Sequence, residues 1–143
     1  MTQYDNCTQS IVAALAEALD LEDGPVLKAT SGFWGGMVSS LTCGVHSAGV
    51  IVMGMIMGRD RLDEGLDGLL PMVFPTQELI RRLNGRLGSH SCKVLTGVDF
   101  TDLEQAMAYR TSDEHQKCIL RAADGAEEIA KLIKEKYLAG EIF

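Results

Sequence analysis

The sequence lacks the long apolar run that a membrane-spanning helix requires. Its apolar stretch at residues 48–57 is shorter than the roughly 20 residues that cross a bilayer, and Arg59, Asp60 and Arg61 follow it directly. The first ten residues, MTQYDNCTQS, have neither the basic region nor the apolar region of a secretory signal. We therefore expect no signal peptide, no membrane span and a cytoplasmic protein.

An excess of positive charge is also lacking. The chain carries 13 basic and 20 acidic residues, for a net charge of −7. Because binding to a phosphate backbone needs a basic face, nucleic acid is excluded as the default partner. The sequence shows no phosphate-binding loop, no HExxH motif and no paired-carboxylate signature. A chain of 143 residues is long enough to bury a core, so we expect a single domain over residues 1–143.

No segment alternates apolar and polar residues as a half-buried strand does, whereas helical periodicity recurs along the chain. Residues 59–75 are expected to form a connecting loop. The pattern therefore predicts an all-α bundle of five to seven helices around a buried, glycine-rich central helix. The predicted helices lie at residues 5–19, in a short stretch from Pro25, after Thr42, from about Thr76, in a turn at 91–97, at 101–109 and at 113–138.

The four cysteines are widely separated in the sequence. No CxxC pair occurs, so neither a thioredoxin-type motif nor a zinc ribbon is indicated. In a reducing compartment permanent disulfides are uncommon. The cysteines are therefore expected to be thiols, ligands or transient redox partners, and any joint site must be assembled by the fold.

Two cysteines occupy positions that favour reactivity. Cys43 and Cys92 fall at predicted helix starts, whereas Cys7 and Cys118 lie on the buried faces of helices. The N-terminus of a helix carries roughly half a positive charge, which favours thiolate and lowers the pKa of a cysteine. We expect Cys43 to be the most thiolate-like of the four. The alternative is that all four are small, buried apolar side chains.

A histidine, a tryptophan and three methionines could belong to a functional site, but each also has a purely structural interpretation. His46 follows Cys43 by about one helical turn and is a candidate base or ligand, although a hydrogen-bonded polar side chain inside a helix is the more common case. Trp34, beside a glycine pair, is a candidate water shield or a core residue. The methionines at 53, 55 and 57 are interpreted as core filler.

The local contexts of the four cysteines carry a resemblance. The segments are DNCTQSIVAALAEAL around Cys7, SGFWGGMVSSLTCGVHSAG leading into Cys43, RLGSHSCKVLTGVD around Cys92 and HQKCILRAADGAEEI around Cys118. Over nearly the whole chain they resemble the C-GCAxxG-C-C family of redox-active proteins. One departure is clear: where the family has CGAxxG, this chain has Val45 for alanine and Ala48 for the second glycine, with Gly49 one position later.

The resemblance implies a redox site formed by Cys7, Cys43, Cys92 and Cys118, but it names no substrate. Thiol pairs could cycle to disulfides through a mixed-disulfide intermediate, with Cys43 or Cys92 attacking. Alternatively, all four thiolates could bind an iron–sulfur cluster, for which four cysteines are the usual ligands. Either chemistry needs a redox partner protein or a small-molecule oxidant or reductant. A third alternative is a non-redox helical binding module whose glycine-lined helix packs against a partner or a second copy.

Overall fold

Helices make up the regular structure of the chain. The computed structural model describes residues 5–143, and no β-strand is formed in that part of the chain. The predicted all-α class is confirmed. The start of the chain, from which we expected no signal peptide, lies partly outside the described residues. The α-helices are α1 (Cys7–Ala18), α2 (Gly24–Ala29), α3 (Gly44–Met57), α4 (Leu70–Leu87), α5 (Cys92–Thr96), α6 (Leu103–Tyr109) and α7 (Asp113–Leu138).

Helix α3 is the central element, as the sequence predicted. It packs against α1, α4 and α7, and its Val45, Val52 and Met53 are almost completely buried. A helix that is apolar on all sides is stable only when other elements surround it. The main core therefore forms around α3 from side chains of these four helices.

The glycines of α3 have different roles. At Gly49 a Cβ atom would lie 2.9 Å from Leu79 and 3.2 Å from Ile129, so the missing side chain lets α4 and α7 approach. Around Gly54 nothing lies within 4 Å of that position. Gly49 therefore permits close approach of neighbouring helices, whereas Gly54 is not needed for it.

Two helix starts differ from the prediction. Helix α4 begins at Leu70, inside the expected loop, and continues through Pro75. A proline this near the N-terminus removes only one backbone hydrogen bond, and Pro75 is buried. Helix α6 begins at Leu103 and not at 101, because Asp102 caps it by accepting hydrogen bonds from the N–H groups of Glu104 and Gln105. None of the described helices is long and apolar enough to cross a membrane.

A second, smaller apolar cluster packs beside the main core. It consists of buried Cys92, Phe100 and Ala106, with Trp34, Val98 and Tyr109 partly buried against them. Cys43 belongs to the main core, so the junction between the two clusters runs between these two cysteines.

Candidate functional site

The four cysteines line one cavity of about 40 Å³ at this junction. Each comes from a different helix. Cys7 is the first residue of α1, Cys43 is the N-cap of α3, Cys92 is the first residue of α5, and Cys118 lies in the second turn of α7. All four are free thiols; Cys43 and Cys92 are buried, and the other two are partly exposed. The structure thus brings together the four residues that the sequence singled out.

A short antiparallel bridge joins the segments that carry Cys43 and Cys92. It pairs Thr42 with Ser91. The N–H of Cys43 donates to the carbonyl of His90, and the N–H of Cys92 donates to the carbonyl of Leu41, each at 2.7 Å. Both cysteines are therefore fixed through their own backbones, one just before α3 and the other at the start of α5.

Cys7 reaches the cavity because α1 crosses α3 at Gly44. A Cβ atom at Gly44 would overlap the sulfur of Cys7 and lie 2.6 Å from Oγ1 of Thr8. That hydroxyl donates to the Gly44 carbonyl at 3.0 Å in a buried hydrogen bond. Only glycine permits this contact, which explains why a glycine follows Cys43.

A left-handed backbone segment covers Cys92. Gly35, Gly36, Met37 and Val38 all have φ between 53° and 65°. Glycine adopts this conformation readily, whereas other residues lose roughly 1–2 kcal/mol each. Gly36 is also needed for space, because a Cβ atom there would lie 2.7 Å from Cβ of Cys92. The glycine pair was evident in the sequence, but the continuation of the turn through a β-branched valine was not.

The departure from the family motif is accommodated on the opposite helix. Val45 stands where the family has alanine, and its methyl group fills the position that a Cβ atom of Gly125 would occupy. The larger side chain on α3 is therefore matched by the absence of one on α7. Gly49, one position after the motif's second glycine, is in close contact with Leu79 and Ile129.

Burial controls the protonation of three cysteines. It raises the pKa of Cys7 to about 12, together with repulsion from negative charge on Cys43 and Cys118. It also raises the pKa of Cys92 to about 12, with repulsion from the other three sulfurs as the next cause. Burial likewise raises the pKa of Cys43, although the N–H groups of Val45 and His46 oppose it. The lowering of the pKa expected for Cys43 and Cys92 at helix starts is wrong, because desolvation exceeds the effect of the helix N-terminus.

Cys118 has a cationic neighbour that the sequence analysis missed. Nη1 of Arg121 lies 3.3 Å from its sulfur, and the carboxylate of Glu114 lies 3.6 Å from the same nitrogen. Burial, followed by a hydrogen bond with Cys118, raises the pKa of Tyr109. The signal for Arg121 was its spacing, since residues three apart share a face of a helix. Tyr109 comes from α6 and had no such signal.

His46 is not part of this cavity. Its ring is almost completely buried, and its Nε2 lies 3.1 Å from Oδ1 of Asn84 on α4. Burial lowers the pKa of His46, so the ring is neutral near pH 7. Trp34, in contrast, does line the cavity, as its candidate role as a water shield requires.

The space between the thiols limits what they can hold. A cavity of about 40 Å³ has room for about three water-sized atoms, far less than the roughly 300–1,000 Å³ of an organic cofactor pocket. Within residues 5–143, no three His, Cys, Asp or Glu side chains are arranged to hold a metal ion as they stand. Binding of any metal centre, an iron–sulfur cluster included, therefore requires the four thiols to turn or move apart.

Comparison with known proteins identifies the family of the chain. Residues 5–132 match the family model described as "Putative redox-active protein (C_GCAxxG_C_C)". The match includes all four cysteines, and the chain belongs to this family. No curated protein and no solved structure matches the chain.

Proposed function

We propose that Cys7, Cys43, Cys92 and Cys118 bind an iron–sulfur cluster and that the protein transfers electrons to and from a redox partner. The observation that carries the proposal is the convergence of four thiols, from four different helices, on one small cavity. Four cysteines are the usual ligand set of such clusters. When bound, the cluster would supply one-electron redox chemistry that the side chains alone lack.

The protonation of the thiols supports cluster binding over nucleophilic attack. Because the pKa values of Cys7 and Cys92 are raised to about 12, both are neutral thiols near pH 7 and therefore weak nucleophiles. A bound, positively charged iron centre would lower these pKa values, because its charge would offset both the cost of burying a thiolate and the repulsion between neighbouring sulfurs. Cluster binding would then release protons, and its affinity would rise with pH.

The surrounding backbone suits a negatively charged group. Helices α1 and α3 begin at the cavity, and helix N-termini stabilise anions. The N–H groups of Val45 and His46 act to lower the pKa of Cys43, and Thr8 acts to lower that of Cys7, so both sulfurs lie near groups that favour negative charge. Hydrogen bonds to the ligand sulfurs are among the factors that set the reduction potential of iron–sulfur sites.

Thiol–disulfide chemistry is the second candidate, and a different observation favours it. Cys7 and Cys118 are partly exposed, and Arg121 donates to the sulfur of Cys118. Partial exposure and a cationic neighbour are features of reactive cysteines. In that case Cys118 would attack a substrate disulfide and Cys7 would resolve the mixed disulfide. Both candidates suit a reducing, cytoplasmic location, where free thiols persist.

Replacing one ligand separates the two candidates. If the cysteines bind a cluster, Cys118→Ser releases iron and destabilises the folded protein, because the metal contributes its binding energy only to the folded state. If they exchange disulfides, the same variant stays folded and colourless and loses one oxidisable pair. Iron and sulfide content and urea unfolding of the anaerobically reconstituted variant provide the measurement.

Two controls make the result specific. His46→Gln alters the candidate ligand that lies outside the cavity, so this variant should retain its iron. Arg121→Gln removes a donor to Cys118 but no ligand, so it should retain iron with an altered reduction potential. If Cys118→Ser binds iron and sulfide as well as the wild type, Cys118 is not a ligand and the four-cysteine cluster is refuted.

A further inference from the structure

An open cleft adjoins the cysteine cavity. Its volume is about 410 Å³, which falls within the range of roughly 300–1,000 Å³ for small-molecule sites. Cleft and cavity share four lining residues, Asp5, Trp34, Tyr109 and His115. A molecule in the cleft would therefore be separated from the cysteines by little more than one layer of side chains.

The shared wall is largely aromatic. The ring of Trp34 is packed edge-to-face against Phe100 at 5.6 Å, Phe100 against Tyr109 at 5.1 Å, and Tyr109 against His115 at 5.2 Å. Each ring is therefore fixed in position by its contact with the neighbouring ring. Met107 adds a thioether side chain that is 58% exposed, and sulfur contacts aromatic rings favourably. Rigid aromatic surfaces of this kind bind planar rings.

The charges in the cleft cancel. Arg110 donates to the carboxylate of Asp5 at 2.6 Å, and His115 lies 4.0 Å from the same carboxylate. The guanidinium is thus already paired with an anion of the protein. An uncharged ligand fits this cleft, and an added anionic group would gain little from Arg110.

We propose that the cleft binds an uncharged, planar, two-electron carrier, of the flavin-ring or quinone class, that exchanges electrons with the cysteine site. This inference rests on the proposed redox function and names its partner. In the forward direction, one reduced ring is oxidised and gives up two electrons and two protons. If the cysteines bind the proposed iron–sulfur cluster, the electrons would pass, one each in succession, to the oxidised clusters of two protein molecules, and the protons would pass to solvent.

Trp34 makes the binding directly measurable. It is the single tryptophan of the chain, so its fluorescence reports on the wall that the cleft shares with the cysteine cavity. We would titrate the full-length protein with riboflavin and, separately, with duroquinone, whose fully substituted ring does not add thiols, and correct for absorption by the probe. The expected result is saturable quenching by at least one probe, and the two titrations distinguish a flavin site from a quinone site. FMN should bind no more than about threefold tighter than riboflavin, because Arg110 is paired.

Two substitutions on α6 form a matched pair. Met107→Glu places a carboxylate on the cleft wall and should weaken binding by about tenfold or more. Leu103→Glu introduces the same charge one turn away on the same helix. Leu103 is 76% exposed and lies outside the cleft lining. The affinity of this variant for the probe should stay within about twofold of the wild type. Absence of saturable quenching, or equal effects of both substitutions, would overturn the proposal.

The same titration is repeated on protein treated with a chelator. Saturable quenching of the chelator-treated protein supports the cleft. If the protein also fails to bind iron on anaerobic reconstitution, the cluster is refuted and the cleft is not. An iron-loaded protein without saturable quenching refutes the cleft and leaves the cluster in place.

Discussion

Gly44 offers a stringent test of how the site is built. In Gly44→Ala the new methyl group would overlap the sulfur of Cys7 and lie 2.6 Å from Oγ1 of Thr8. Overpacking of this kind costs about 1–3 kcal/mol. The buried hydrogen bond from Thr8 to the Gly44 carbonyl contributes about 1 kcal/mol more if it is lost. The gain in helix propensity offsets at most about 1 kcal/mol. We therefore expect a net loss of about 1–3 kcal/mol.

Gly54 in the same helix provides the matched control. Nothing lies within 4 Å of the position that its Cβ atom would occupy, so Gly54→Ala should stabilise the protein by about 0.5–1 kcal/mol. The two identical substitutions thus have opposite predicted signs. Urea unfolding of reduced, metal-free protein under anaerobic conditions measures both. A Gly44→Ala variant as stable as the wild type would show that α1 and α3 do not cross as closely as described.

Three further outcomes are expected. Arg121→Gln, which removes a positive charge 3.3 Å from a ligand sulfur, should lower the reduction potential by about 30–60 mV; no change in a redox titration would exclude Arg121 as a determinant. Gly125→Ala should cost about 1–3 kcal/mol, and adding Val45→Ala should restore at least half of the loss, since the two side chains meet. The metal-free protein should be stable below about pH 9. As the pH rises from there toward 12, its free energy of unfolding should fall by about 1.4 kcal/mol per pH unit for each of Cys7 and Cys92. In that range the two thiols, with pKa values near 12, stay protonated in the folded protein but ionise in the unfolded chain. A free energy of unfolding that does not change with pH would contradict the raised pKa values.

Local patterns in the sequence determined much of the fold. The long periodic segment from 113 to 138 predicted α7 at both ends, because burial of one helical face leaves a regular apolar spacing. The start of α4 was misplaced because Pro71 and Pro75 signal a loop when read locally. In the structure, Pro71 lies in the first turn and Pro75 is buried, so packing outweighs the local preference.

The candidate site was only partly predictable for a similar reason. The helix starts at Cys43 and Cys92 were readable from the sequence, and so was the N-terminal charge that favours a thiolate. Desolvation was not readable, because it depends on which elements cover a side chain, and it reverses the expected shift in the pKa of Cys43. Contacts between distant segments, such as Val45 with Gly125, likewise have no local signature.

The most direct test of the central claim is the iron and acid-labile sulfide content of the anaerobically reconstituted wild-type protein, with an electron paramagnetic resonance spectrum of the reduced sample. The account predicts stoichiometric iron and sulfide, a visible absorption band and a signal of a reduced cluster. Reconstituted protein that contains neither iron nor sulfide, remains folded and forms disulfides on oxidation would contradict it and leave thiol exchange as the function.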